Sequence, residues 1–331
     1  MHWKTSKRGA RAFVAAWALC AAAITAAETL HIQTAAEFLD LYDETTKTWK
    51  STDIVLDADL DFTGVTEAAD KLPLGSGKTF SGTIDGNNHT IKGLKLDKGD
   101  KFAALFDYLA NSVVANLVID SSCSFAGRNA GTVCVTAFGD ATIRNVHNAA
   151  SISCTMSCGG LFGATASGKN LVIEQCTNKG TIQAINKEGY SPQAGGFVGS
   201  AVFMQSIVIK NSVNSGNIIA RSENTPKDPV AGGLVAFIGS ASAVATIIEC
   251  ENNGSLEATG STTSSAGGHV GKSDNQSINV VNSANHGDVT SDNKAFGIVP
   301  RMESAVCVVN TGTIKGSEAS QSYVLWEEAN T

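Results

Sequence analysis

Six segments of the chain fall into a single register. Val146, Cys176, Ser212, Cys250, Ser283 and Val308 occupy one column, at steps of 30, 36, 38, 33 and 25 residues. Two positions later every row carries asparagine: Asn148, Asn178, Asn214, Asn252, Asn285 and Asn310. Four positions later come Ala150, Gly180, Gly216, Gly254, Gly287 and Gly312, and six positions later Ile152, Ile182, Ile218, Leu256, Val289 and Ile314. Agreement in three columns across six rows marks a solenoid, in which each repeat is one stacked unit.

A second block recurs between these rows: Gly159-Gly160-Leu161-Phe162-Gly163, Gly195-Gly196-Phe197-Val198-Gly199, Gly232-Gly233-Leu234-Val235-Ala236 and Gly267-Gly268-His269-Val270-Gly271, with Ala295-Phe296-Gly297-Ile298-Val299 as a degenerate copy. Each row therefore offers three short β-like pieces, for example the glycine block, Val172–Cys176 and Gly180–Ile182. Glycine at this density rules out an α-solenoid, because it costs ~1 kcal/mol per helical position relative to alanine. The expected fold is all-β: a single-stranded parallel β-helix, right-handed because parallel crossovers strongly favour that hand. Asparagine in a fixed column predicts a side-chain amide ladder from coil to coil. The glycine two residues on is expected to supply the positive φ of a tight corner.

The residues also resemble a known family, the GLUG-motif β-helix proteins, a class of secreted and surface proteins described as bacterial adhesins. The likeness lies in Gly159-Gly160-Leu161-Phe162-Gly163 followed by Ile173-Glu174-Gln175-Cys176-Thr177-Asn178-Lys179-Gly180-Thr181-Ile182. It continues upstream in Ile54–Phe62, Pro73-Leu74-Gly75 and Phe80–Ile91, which look like opening coils, and covers roughly residues 50–315. The resemblance implies the fold and exposure at a cell exterior, and no catalytic machinery.

Residues 1–27 have the layout of a secretory signal: Lys4, Lys7, Arg8 and Arg11, then 13 apolar residues from Ala12 to Ile24, then small residues ending at Ala27. The apolar run is shorter than the ~20 residues that span a bilayer. The division expected is thus a signal peptide at 1–27, an N-terminal cap with a short helix at 28–55, the β-helix at 56–315, and a C-terminal cap or tail at 316–331. Removing the signal's four positive charges takes the formal net charge from −7 to −11. Phosphate backbones would be repelled, and Lys and Arg are scattered, so nucleic acid is excluded as a partner.

Seven cysteines lie beyond the signal, an odd number. Cys154 and Cys158 lack a second Cys/His pair to complete a zinc site. Cys176 and Cys250 share a column two coils apart, ~9.6 Å at ~4.8 Å per coil, beyond the ~7 Å Cα limit for a disulfide. Both read as core thiols, and the pairing of the remaining five stays open.

Upstream, Thr34–Thr46 reads as an amphipathic helix, with Thr34 and Glu37 spaced as a capping box, and is expected to cover the end of the solenoid. At the other end, Tyr323–Trp326 is expected to fold back over the last coil unless the chain is a shortened member of its class. Gly75-Ser76-Gly77-Lys78-Thr79 resembles the end of a P-loop, but Leu72 stands where the pattern needs glycine and a strand-like piece follows where it needs a helix. Asp57, Asp59 and Asp61 alternate along one side of a strand. A calcium site would want further oxygen ligands, so a solvated face is the reading adopted. His31, His89, His147, His269 and His286 fall in different columns without HExxH spacing and read as solvent-facing or structural. No catalytic, cofactor-binding or metal-ligating residue is assigned.

Two function classes remain: a secreted or cell-surface protein of adhesion or interaction, non-catalytic, and a polysaccharide-active β-helix enzyme, lyase or glycoside hydrolase. The enzyme would need a local cluster of carboxylates, and none is evident across neighbouring rows, so interaction with an extracellular protein or glycan is preferred. Row length locates the surface. From the glycine block to the next column the spacing is 17, 17, 18 and 16 residues, whereas from the Ile/Leu column to the next glycine block it is 7, 13, 14 and 11. Insertions sharing one corner emerge on one edge. Residues 183–194, 219–231 and 257–266 are therefore expected to form a ridge bearing Lys187, Glu188, Tyr190, Arg221, Glu223, Lys227 and Asp228. Asn88, Asn253 and Asn275 stand in glycosylation acceptor sequences, used where the side chain points outward.

Overall fold

The computed structural model describes residues 29–165, 169–186, 189–223, 227–239, 244–274 and 277–320. The predicted signal peptide and Tyr323–Trp326 lie outside these residues. The chain winds as a parallel β-helix with three faces, each a parallel sheet whose strands come from successive coils.

One coil shows why. On the first face, Asn170–Glu174 alternates: Leu171 and Ile173 are buried, Val172 and Glu174 half-exposed, the period of a half-buried strand. Gln175 then takes φ +55° and turns the chain into Thr177–Asn178. The second face follows as Ile182–Asn186 and Gln193–Gly195, and the third as Val198–Val202. Stacking preserves the columns read from the sequence: Ile182 pairs with Ile218, Ile218 with Leu256, Leu256 with Val289, and Val289 with Ile314. The inward residues form one continuous core from Ile32 to Val308.

The asparagine ladder is present. Asn148, Asn178, Asn214, Asn252 and Asn285 each donate one Nδ2 hydrogen bond, 2.6–2.7 Å long, to the Oδ1 of the asparagine in the next coil. Each also donates to the carbonyl two residues on, at 2.8–3.3 Å. Both amide hydrogens are thereby used in the core, where an unpaired polar group is costly.

The glycine column works differently from the expectation. None of Gly180, Gly216, Gly254, Gly287 and Gly312 has positive φ. The constraint is contact: a Cβ on Gly216 would lie 2.0 Å from the carbonyl oxygen of Gly180, and one on Gly254 2.0 Å from that of Gly216. The left-handed conformation sits earlier, at Asn116, Asn145, Gln175, Asn211, Glu249, Asn282 and Cys307. The glycine block is also a corner rather than a strand, since Gly195 ends a second-face strand and Val198 begins a third-face one.

Parallel stacking extends beyond the expected bounds: Leu30–Ile32 already pairs with Ile54–Leu56, and Glu318–Ser320 still pairs with Lys294–Phe296. The helix is shorter than read, Ala35–Leu39, with the Thr34/Glu37 capping box formed. Asp40 is its C-cap, and in the turn that follows Asp43 accepts from the backbone of Thr45 and Thr46, at 2.7 and 3.1 Å, and Lys47 is left-handed. The chain there makes a hairpin of Tyr42–Asp43 with Thr48–Trp49. Phe38 packs on Phe62 and Phe106, and Trp49 on Phe80 and Phe106, closing the core at this end. Among the described residues no helix is long and apolar enough to cross a membrane.

Candidate functional site

The register measures each coil's path around the second-face corner. Between equivalent positions the chain takes four steps from Cys154 to Cys158, ten from Ala184 to Ala194, eleven from Ala220 to Ala231, eight from Ala258 to Ala266, and four from Ser291 to Ala295. Three successive coils thus carry insertions, with tight coils on either side, so the described parts of these loops share one corner as a ridge. They are bonded together. Glu223 N donates to Asn186 O at 2.8 Å, Val230 N to Pro192 O at 2.8 Å, and Ser265 N to Pro229 O at 2.9 Å.

The ridge residues divide between its flanks. Lys187 and Glu188 lie outside the described residues. Tyr190 is exposed, and its carbonyl accepts from the Asn186 side chain. Arg221 reaches the next coil and bonds Glu257 at 2.7 Å, which holds the Glu257 carboxyl below the usual carboxylate range. Glu223 is half-buried and Lys227 exposed. Asp228 accepts from the Thr263 hydroxyl and pairs with Lys272 at 3.3 Å; these contacts, Thr263 foremost, lower its pKa.

On one flank the ridge drops to a groove of about 520 Å³. Its floor is the two coils that round the corner without a loop, Ser124–Ala130 and Ser151–Gly159. A disulfide between Cys154 and Cys158, Cα–Cα 6.0 Å, staples the floor, and Met156 stands exposed at its turn. One wall is Ile185, Asn186 and Tyr190; the other is the loop of Asp97, Gly99 and Asp100. On the opposite flank a cleft of about 410 Å³ lies between Asp228 and Thr263 on the ridge and Lys272, Lys294, Phe296 and Arg301 beyond it. One flank thus offers two carboxylates and a phenol, the other three cations around one carboxylate and an aromatic ring. The short 7-residue spacing from Ile152 to Gly159 was the sequence signal for the groove floor. Nothing in the repeat pattern pointed to Asp97 and Asp100, or to Lys272, Lys294 and Arg301.

Elsewhere, the three alternating aspartates are each paired singly. Asp57 meets His31 at 2.9 Å, Asp59 meets His89 at 3.2 Å, and Asp61 meets Lys92 at 3.5 Å. No cluster able to hold a metal occurs among the described residues. His147 and His286 bond the hydroxyls of Thr177 and Thr311, and His269 is fully buried. Cys176 and Cys250 are buried free thiols, and burial pushes each up to about 12. Asn88 and Asn253 are exposed, and Asn275 lies outside the described residues.

No protein-family model matches the chain, and no curated protein does. Among solved structures it is similar to a Bacteroides ovatus protein described as a candidate immunoglobulin A1 protease, at 17% identity over 88% of this chain and 83% of that one, with a TM-score of 0.49. It is also similar to an IgA1 protease, at 15% identity over 81% of this chain and 19% of that one, with a TM-score of 0.41. At these values neither neighbour assigns an activity to this chain.

Proposed function

We propose that the chain is an exported β-helix protein, secreted or held at the cell surface, whose corner ridge docks an extracellular protein or glycan. The observation that carries this reading is the stack of three insertions on one corner, raised between tight coils and flanked by a groove and a cleft of different charge. Loops on a rigid scaffold are a common way to build a binding surface. The GLUG-motif resemblance supports a place outside the cell. The Cys154–Cys158 disulfide supports an oxidising compartment.

A polysaccharide-active enzyme is the second reading, favoured by Asp97 and Asp100 on the groove wall. Glycoside hydrolysis needs a pair of carboxylates flanking the scissile bond. The test replaces the loops 187–192, 223–229 and 260–264 by short Gly-Asn turns, with folding followed by circular dichroism. Adhesion of the intact protein to epithelial cells and to immobilised polysaccharides should be abolished in the variant, with no depolymerisation by either protein. Undiminished adhesion would move the site to the flat faces, and polysaccharide cleavage lost on Asp97→Asn or Asp100→Asn would establish the enzyme.

A further inference from the structure

The P-loop-like segment has a structural role that the ridge does not explain. On the third face Leu74 pairs with Phe106 and Thr79 with Tyr108, so one strand takes five steps where its neighbour takes two. Residues 75–78 therefore bulge out of the sheet opposite the single residue Asp107. Gly75 and Gly77 both adopt φ +71°, which lets the bulge close on that residue. Gly77 N donates to Asp107 Oδ2 at 2.8 Å. Asp107 is only 6% exposed, and its other carboxylate oxygen, Oδ1, has no partner. Burial raises its pKa.

Asp107 lines a cleft of about 500 Å³ between the N-terminal cap and the third face, a size typical of small-molecule sites. The rest of the lining is of mixed charge, with Lys71, Lys98, Lys101 and Arg128 beside Glu44, Asp70 and Asp100. The Arg128 guanidinium lies 5.0 Å from the Phe102 ring centroid, its Nε is buried without a partner, and among the described residues neither Arg128 nor Lys101 has a carboxylate partner. Lys98 donates to Ala69 O and is close enough to Lys101 for the two ammoniums to repel each other. The cleft thus presents two unmet demands: a hydrogen-bond donor for Asp107 Oδ1, and an anion for Arg128 and Lys101.

A simple phosphate also carries a P–OH donor, but so small an ion fills little of a cleft of about 500 Å³. A sugar bearing an acidic group answers both, with a hydroxyl at one end and an anion at the other. We infer that this cleft binds an acidic saccharide, its carboxylate or sulfate held by Arg128 and Lys101 and one of its hydroxyls donating to Asp107. Asp100 lines both this cleft and the ridge groove, but the inference does not depend on the reading of the ridge.

The test is calorimetric titration of the full chain with three probes: tri-galacturonic acid, neutral galactotriose and a sulfated galactotriose. One or both acidic probes should bind at least about tenfold more tightly than the neutral one, and binding should weaken as salt rises; which of the two binds identifies the anion. Lys101→Gln combined with Arg128→Met, which keeps the packing on Phe102, should cost about tenfold or more. Asp107→Asn, nearly isosteric, should weaken binding by about threefold or more by giving up one charge-assisted bond. Val244→Thr, exposed on the first face, should change nothing. Equal binding of the neutral probe, binding of inorganic phosphate with neither acidic sugar, no binding at all, or full binding by the Lys101/Arg128 variant would each overturn the inference.

Discussion

Removing one rung tests how much the asparagine ladder holds the coils together. Asn214 is fully buried in mid-ladder: its Nδ2 donates to Asn252 Oδ1 at 2.7 Å and to Gly216 O at 3.0 Å, and its Oδ1 accepts from Asn178 Nδ2 at 2.7 Å. Asn214→Ala would leave three buried groups without those partners: an amide hydrogen of Asn178, the Oδ1 of Asn252 and the carbonyl of Gly216. Each orphan costs roughly 1–3 kcal/mol, so the total is about 3–6 kcal/mol once partial relaxation into the small cavity is allowed for. Asn310 is the control, because it is the last rung and half-exposed, so water reaches what its loss uncovers. Asn310→Ala should cost only about 1 kcal/mol. Urea unfolding followed by circular dichroism reads both, with the midpoint and the slope reported separately because a solenoid need not unfold in one step. A loss below about 1 kcal/mol for Asn214→Ala, or equal losses for the two variants, would refute the reasoning.

Three further outcomes are expected. Gly254→Ala would place a Cβ 2.0 Å from the Gly216 carbonyl and should destabilise the stack by about 3 kcal/mol or more, whereas Gly99→Ala meets open space and pays only for its φ of +56°, about 1 kcal/mol; thermal unfolding compares them. His269 is fully buried with both ring nitrogens unpartnered, and burial lowers its pKa from 6.5 to about 4. Above pH 6.5 both states hold the neutral ring; as pH falls toward 4 the unfolded chain takes up a proton that the folded one refuses, so stability should drop by about 3 kcal/mol across that window and then level. His269→Leu, matching Leu161 and Leu234 in the same column, should remove most of that drop in denaturant midpoints measured against pH. In the native protein at pH 8, Cys307, exposed and free, should react with a thiol reagent within minutes, while Cys176 and Cys250 should react only after unfolding, as mass spectrometry of the labelled peptides would show.

What could be read from the sequence was what repeats. The columns of Asn178 and Ile182 fixed period, register and ladder, because stacking makes every coil solve the same packing problem. The corner insertions were legible too, since an insertion shows as a change in spacing. The reason for the glycine column was not, because contact with the coil below and a need for positive φ select the same residue. Helical spacing continues past Leu39, where the helix ends, because it does not encode the hairpin turn that Asp43 holds through backbone contacts. The cap cleft was hidden for a related reason. It joins Gly77, Lys101, Asp107 and Arg128 from three successive coils, and each falls at an irregular point of the repeat where no column marks it.

That the raised corner, and not a flat face, meets the partner is tested most directly by photo-cross-linking. A benzoylphenylalanine placed singly at Tyr190, Lys227 or Thr259 samples the corner, and one at Gln175 or Val244 samples the exposed side of the first face. Each variant is irradiated while bound to the cells or polysaccharide that the intact protein adheres to. The account predicts adducts from the corner positions and none from the first face. Adducts from Gln175 or Val244, with none from the corner, would contradict it.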